Sequence, residues 1–277
     1  MIRANAFTKW CTSIFLFLLA IVWMVPVWIM LVTAFTPSEK RVVGFGGLLI
    51  SDVSLRNFQT VFADAPILQH LANSLIITLT SVALVVLFGA MAAYAFANMR
   101  IRGKNFWFFL LMTTMMLPGS TLIVPLFQIN KSLGLLDTYQ GLILPYTALG
   151  LPFAIIILRG FFEALPPELG EAARLDGVSQ IRIFWFIALP LSWPAITVVV
   201  ILQFMASFNE FVLALIMTDS DSIKPLSLVP LIYSGRFVLQ PGAMFATLAL
   251  MTLPVVVVYL GMQRFMISGL TAGAVKG

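Results

Sequence analysis

The stretch Glu171-Ala172-Ala173-Arg174-Leu175-Asp176-Gly177, followed after nine residues by Ile187-Ala188-Leu189-Pro190, is a polar, helix-forming run in an otherwise oily chain. Pro166-Pro167 just before it can open a helix, because proline at the first helical position gives up no donor that the helix needs. Glu168 and Glu171 then fall in the first turns, where negative charge suits the positive end of the helix dipole. Gly177 can take the left-handed conformation that ends a helix. Ser179 is placed to cap the next one, and Pro190 limits that second helix. The reading is helix, sharp turn, helix. Ala172 and Ala173 present almost no side chain, Leu169 and Leu175 add apolar area, and Glu171, Arg174 and Asp176 add charge. Such a surface suits insertion into another protein's groove; the alternative is an amphipathic helix resting on the membrane.

Around this run the composition sets the solvent. Hydrophobic residues make up 61% of the 277 residues and charged ones 10%, with a mean hydropathy of +1.04. A soluble domain carries roughly 25% charged residues, so this chain is a membrane protein. A spanning helix needs about 20 mostly apolar residues. Six stretches qualify: 12–36, 71–97, 106–128, 139–159, 194–217 and 245–266. They leave no room for a soluble domain, and the expectation is a single integral membrane domain over 1–277. Arg3 and Lys9 precede the first stretch as in a signal peptide, but its apolar run exceeds the 7–15 residues of such a segment. It reads as a retained first helix, with cleavage the alternative. Cys11, the only cysteine, has no partner for an intrachain disulfide.

The net charge of +5 is a topology signal. Arg3 and Lys9 precede the first span; Arg100, Arg102 and Lys104 lie between the second and third. Arg159, Arg174 and Arg182 lie between the fourth and fifth, and Arg264 and Lys276 near the end. Six spans put these ten of the sixteen Lys/Arg on one side. The positive-inside rule makes that side, and both termini, cytoplasmic. Nothing in this distribution points to nucleic acid. On the outer side the link from about 37 to 70 holds Glu39-Lys40-Arg41, a Gly44/Gly46/Gly47 turn region and enough chain for one short surface helix. Further outer links fall near Asn130–Thr138 and Asp219–Gly242.

Within the spans, Gly89, Ala93 and Ala97 recur at intervals of four, a spacing that lets helix backbones approach closely. Packing inside this chain and against a partner fit that pattern equally well. Pro26, Pro118, Pro125, Pro145, Pro152 and Pro254 each remove a backbone donor and can kink a helix. Gln203, Ser207 and Glu210 stand at i, i+4 and i+7 in the fifth stretch, which puts them on one helical face. A charged group at mid-bilayer costs about 2.5–3.5 kcal/mol on insertion scales, so this face, with Asn209 beside it, is expected to line a cavity. The competing role is hydrogen bonding between helices. Ser74, Thr78 and Ser81 form a similar stripe, more typical of helix–helix contact. His70 reads as an interfacial residue at the outer start of the second span.

The chain carries no Gly-x4-Gly-Lys-Ser/Thr phosphate loop; its one Gly-Lys pair, Gly103-Lys104, is followed by Asn105. It has no metal-spaced His/Cys cluster and no nucleophile signature. Neither catalytic machinery nor a cofactor site is expected.

The Glu-Ala-Ala-x3-Gly-x9-Ile-x-Leu-Pro pattern resembles the EAA loop in the permease subunits of bacterial binding-protein-dependent ABC importers. Further similar phrases are Leu55-Arg56-Asn57-Phe58, Leu165-Pro166-Pro167-Glu168-Leu169, Phe208-Asn209-Glu210-Phe211 and the tail from Gly269 to Gly277. Within that family the chain is most similar to carbohydrate permeases related to the smaller maltose subunit. The family often has Trp at the position of Phe208. The resemblance implies an all-α, six-helix permease of the type I importer fold, in the inner membrane, with a core region over 70–266 and a cytoplasmic coupling loop over 163–190. It implies a second, homologous permease forming a heterodimer, two ATPase subunits that bind the ATP and Mg, and an extracytoplasmic solute-binding protein that delivers a sugar or glycosylated osmolyte. By the same resemblance Glu171, Ala172, Ala173, Arg174, Asp176 and Gly177 belong to the helix that couples to the ATPase. An ion-coupled secondary carrier is the rival; such carriers tend to show intramembrane acids and repeated halves, whereas Glu210 is the only acid within a span and no repeat is evident.

Overall fold

The computed structural model describes residues 6–37, 52–234 and 240–274. The elements among them are helices: α1 (Ala6–Phe35), α2 (Arg56–Asp64), α3 (Ile67–Asn98), α4 (Lys104–Thr114), α5 (Gly119–Ser132), α6 (Tyr139–Ala164), α7 (Pro167–Leu175) and α8 (Gln180–Ile183). A π-helical turn (Phe184–Ala188) leads into α9 (Leu189–Leu191), α10 (Trp193–Phe208) and α11 (Val212–Met217). A 3-10 segment (Leu226–Tyr233) and α12 (Pro241–Ala274) complete the chain. Among the described residues α1, α3, α6 and α12 are each long and apolar enough to cross a membrane, and two bent pairs bring the spans to six if each pair is one crossing. The Glu39-Lys40-Arg41 cluster and the Gly44/Gly46/Gly47 region lie outside the described residues.

Two expected spans are not straight helices. The stretch 106–128 is broken between α4 and α5, whose axes meet at 98°. Pro118 sits at the break with ψ 132°, and a proline disfavours the helical region for the residue before it. The stretch 194–217 ends its helix at Phe208, and α11 starts afresh at Val212. The second bent pair lies upstream, where residues 180–191 meet α10 at 76°. By contrast Pro26, Pro125, Pro145, Pro152 and Pro254 lie inside unbroken helices. Proline alone did not tell a break from a tolerated kink.

The chain divides into two compact units, residues 1–67 with 229–253 and residues 68–228 with 254–277. In the first, α2 is a short helix in the link between α1 and α3, and Asn57 closes the end of α1. Its Nδ2 donates to the carbonyls of Thr36 at 2.7 Å, Ala34 at 2.9 Å and Thr33 at 3.4 Å, satisfying orphan acceptors of a helix C-terminus. Phe35 and Phe58 pack beside it with ring centroids 4.9 Å apart and planes tilted by 45°. Gly242 lies so close that a Cβ there would fall 2.5 Å from the Asn57 amide.

The second unit holds the principal core. Val85, Ala93, Tyr94, Ala154, Leu158, Phe162, Ile183, Phe184 and Val199 are buried together, joining α3, α6, the π turn and α10. The Gly89 backbone packs so tightly that a Cβ would lie 3.0 Å from that of Ala154. The small-residue stripe of α3 therefore packs inside this chain. A second cluster joins Ile77, Leu142, Tyr146, Leu213, Ala214 and Met217.

Candidate functional site

The loop that follows α6 folds as its sequence dictates. Pro166 precedes the first helical residue, Glu168 lies in the first turn and Arg174 in the last, so both charges oppose the dipole of α7. Gly177 has φ +76°. Its N–H donates to the Arg174 carbonyl at 3.0 Å and that of Val178 to the Ala173 carbonyl at 2.9 Å; this pair of bonds is the Schellman closure. A Cβ at Gly177 would meet nothing within 4 Å. The glycine is needed there for its backbone angle, and space around it is ample. Ser179 Oγ then accepts from the Arg182 N–H at 3.5 Å, opening α8.

The two alanines of the motif face opposite ways. Ala173 is buried and belongs to the core, whereas Ala172 is exposed with Glu171, Asp176 and Leu175, the last 89% exposed. Arg174 is held by the amide of Gln180. With the amide oriented to satisfy its neighbours, Gln180 oxygen accepts from Arg174 Nε at 2.8 Å and Nη at 3.3 Å, and its nitrogen donates to the Tyr94 hydroxyl at 3.1 Å. Tyr94 also packs edge-on against Phe162 at 5.6 Å and lies 5.2 Å from Phe184. A side-chain chain thus runs from α7 through α8 to α3.

Beyond α8 the backbone slips register. The Leu189 N–H reaches back five residues to the Phe184 carbonyl, and Pro190 has no N–H to continue the ordinary ladder. Ser192 N–H and Oγ both donate to the Ala188 carbonyl, at 3.1 and 2.8 Å, and α10 leaves at the bend.

Along α10 an open cavity of about 290 Å³ is lined by Tyr146, Leu149, Gly150, Phe153, Leu202, Gln203, Ala206, Ser207 and Glu210. It brings together three of the four sequence-predicted pathway residues. The fourth, Asn209, is exposed, donates to the Met205 carbonyl at 2.9 Å and does not line the cavity. Glu210 is not on the helical face of Gln203 and Ser207, because α10 has already ended. It reaches the cavity from the break, where its Oε1 accepts from Leu213 N–H at 2.9 Å and its Oε2 from Ala214 N–H at 3.0 Å. Tyr146 Oη donates to Oε2 at 2.7 Å. Glu210 thus opens α11 and bridges to α6. Gln203 Nε2 donates to Ser207 Oγ at 2.8 Å and the Tyr146 carbonyl at 3.2 Å. A Cβ on Gly150 would lie 2.1 Å from Gln203 Oε1, so only glycine there leaves room for that amide.

The links before α6 and after α11 are tied by polar groups. Asp137, with φ 56°, accepts from the N–H groups of Asp219 and Ser220, each at 3.0 Å. Those backbone bonds, foremost that of Asp219, lower its pKa below the usual carboxylate value. Of the stripe on α3, Ser74 accepts from Leu226 N–H at 2.7 Å, whereas Ser81 donates to the Ile77 carbonyl of its own helix. His70, near the start of α3, is buried, with its Nδ1 2.9 Å from the Lys224 carbonyl. Sequence reasoning missed Tyr94, Gln180, Tyr146, Gly150 and Asp137. The available signal was a tyrosine hydroxyl within an apolar span, at 94 and 146, whose burial requires a partner.

Residues 85–271 match the family of binding-protein-dependent transport system inner membrane components. The trehalose transport system permease protein SugB of Mycobacterium tuberculosis is 36% identical over 234 residues, covering 84% of this chain and 85% of that protein. The arabinooligosaccharides transport system permease protein AraQ of Halalkalibacterium halodurans is 33% identical over 284 residues, covering 99% of each. Among solved structures, a chain of a bacterial ABC transporter involved in import of the acidic polysaccharide alginate superposes with a TM-score of 0.79. It is 22% identical and covers 95% of this chain and 98% of its own. That likeness establishes the fold.

Proposed function

This chain belongs to the family of binding-protein-dependent transport system inner membrane components, and from that premise we propose that it passes a sugar or glycosylated osmolyte across the inner membrane. It is the multi-pass permease subunit of an ABC importer, and its family is a transporter subunit, not an enzyme. In this reading it pairs with a second, homologous permease, and two ATPase subunits hold the ATP and Mg. A solute-binding protein loads the cavity from outside, and both termini are cytoplasmic. Its curated relatives include carriers named for trehalose and for arabinooligosaccharides, which supports the substrate class.

The observation that carries the mechanism is the continuity from α7 to the cavity. The exposed face of α7, with Glu171, Ala172 and Asp176, seats in a cleft of the ATPase. The closed turn at Gly177 passes its displacement to α8, and α10 carries Gln203 and Ser207 beyond the bend. Closure of the ATPase pair on ATP draws the loops together and turns the cavity outward; hydrolysis resets it. Gly177→Asn and Gly177→Val separate the backbone role from the docking role, because asparagine tolerates the left-handed region and valine does not. Asparagine is expected to keep the ATPase bound when the tagged importer is purified from membranes in mild detergent. Valine is expected to release it. Retention by both variants would remove the turn from the mechanism.

A further inference from the structure

The hydrogen-bonding capacity left over in the cavity defines what it can hold. Both amide hydrogens of Gln203 are spent on Ser207 Oγ and the Tyr146 carbonyl. Its Oε1 has no donor among the described residues. The Ser207 hydroxyl, already an acceptor, keeps its own hydrogen to donate. Glu210 Oε2 receives two bonds and Oε1 only one, which leaves Oε1 room for another. Two acceptors and one donor therefore remain, set between apolar walls from Leu149, Phe153, Leu202 and Ala206. The Leu213 and Ala214 N–H groups and the Tyr146 hydroxyl all donate to Glu210. None of the nine lining residues carries a positive charge.

We propose that this cavity selects uncharged, hydroxyl-rich solutes and repels anions, with Glu210 as the residue that sets the charge preference. Hydroxyl groups supply the donors that Gln203 Oε1 and Glu210 Oε1 lack. The C–H faces of a sugar ring suit the apolar walls. A carboxylate, sulfonate or phosphate on the solute would meet a like charge and a single donor, Ser207. The proposal rests on reading the cavity as part of the solute path, and the two fail differently.

The test measures the cavity's charge directly in the assembled importer. Cys11, the only cysteine, is replaced by serine and Ser207 by cysteine. The rate of modification is then measured with two thiosulfonate reagents of similar size, one bearing a trimethylammonium and one a sulfonate. The thiol's own acidity affects both equally and cancels in the ratio. One carboxylate a few ångströms away in a watery cavity raises the cation-to-anion ratio about tenfold over that of a free thiol. Glu210→Gln should bring the ratio back to the free-thiol value, and Glu210→Asp, which keeps the charge, should retain it. A free-thiol ratio in the parent protein, or an equal excess in Glu210→Gln, overturns the selectivity while leaving a wetted path. No reaction of Ser207→Cys with either reagent, or with neutral methyl methanethiosulfonate, means a sealed cavity, and the path and its selectivity fall together.

Discussion

Adjacent alanines at 172 and 173 share a motif and almost nothing else. Ala173 is 8% exposed and sits in the core with Phe184 and Leu158; Ala172 lies on the open side of α7. Overpacking a core position costs about 1–3 kcal/mol, whereas an exposed alanine can be enlarged with little effect on folding. Ala173→Leu is accordingly expected to lower the melting temperature of the purified permease. Ala172→Leu should leave melting unchanged and release the ATPase. Equal melting of the two variants would contradict the inward placement of Ala173. The sequence alone could not make this distinction, because a nine-residue helix with few large apolar side chains carries too weak a periodic signal to fix which alanine faces inward. The turn that follows was fully legible: Pro-Pro, Gly177 and Ser179 each have one dominant local preference, and each adopts it.

Elements show the same division between local and non-local information. Apolar run length located α1, α3, α6 and α12, because bilayer thickness alone sets how long a spanning helix must be. It could not see that 106–128 folds back at Pro118 or that 194–217 stops at Phe208, since a bent pair has the same mean hydropathy as a straight helix. The break at Asn209–Phe211 depends on Glu210 capping α11 and bonding Tyr146, a contact across 64 residues of sequence. The links before α6 and after α11 are also held by distant partners, and there pH enters. The Asp137 pKa is lowered because its oxygen accepts from backbone N–H groups in the folded link. Its contribution is therefore fully present at neutral pH and is lost as pH falls through the lowered value. Asp137→Ala should speed amide exchange at Asp219 and Ser220 by about fivefold near neutrality, as for the loss of one hydrogen bond. Asp137→Asn, which still accepts, should change it less. An effect of Asp137→Ala no larger than that of Asp137→Asn would rule out the accepting oxygen as its source.

For the molecule as a whole, the proposed task is to link α7 to the cavity along α10. The polar chain from Arg174 through Gln180 to Tyr94 ties α7 to α3 as well as to the α8–α10 segment that follows it. Tyr94→Phe removes one hydroxyl and leaves the aromatic packing on Phe162 and Phe184. It should leave the ATPase bound while raising the ATP consumed per solute imported, by up to about fivefold for one lost bond. Gln180→Glu keeps accepting from Arg174 and can accept from the Tyr94 hydroxyl in place of donating to it, so it should keep the normal ratio. An unchanged ratio in Tyr94→Phe would reduce the contact to simple packing.

The Schellman closure at Gly177 has a mechanical consequence. Two backbone hydrogen bonds and a glycine already seated at its required angle make a corner with little compliance. In the proposed mechanism, load applied to α7 is delivered around the corner instead of being absorbed in it. The give must then come further along, where Pro190 has interrupted the ladder and the π turn holds one residue more than an α-helix would. Stiff lever and soft joint lie within fifteen residues of each other, in the order a transmission requires.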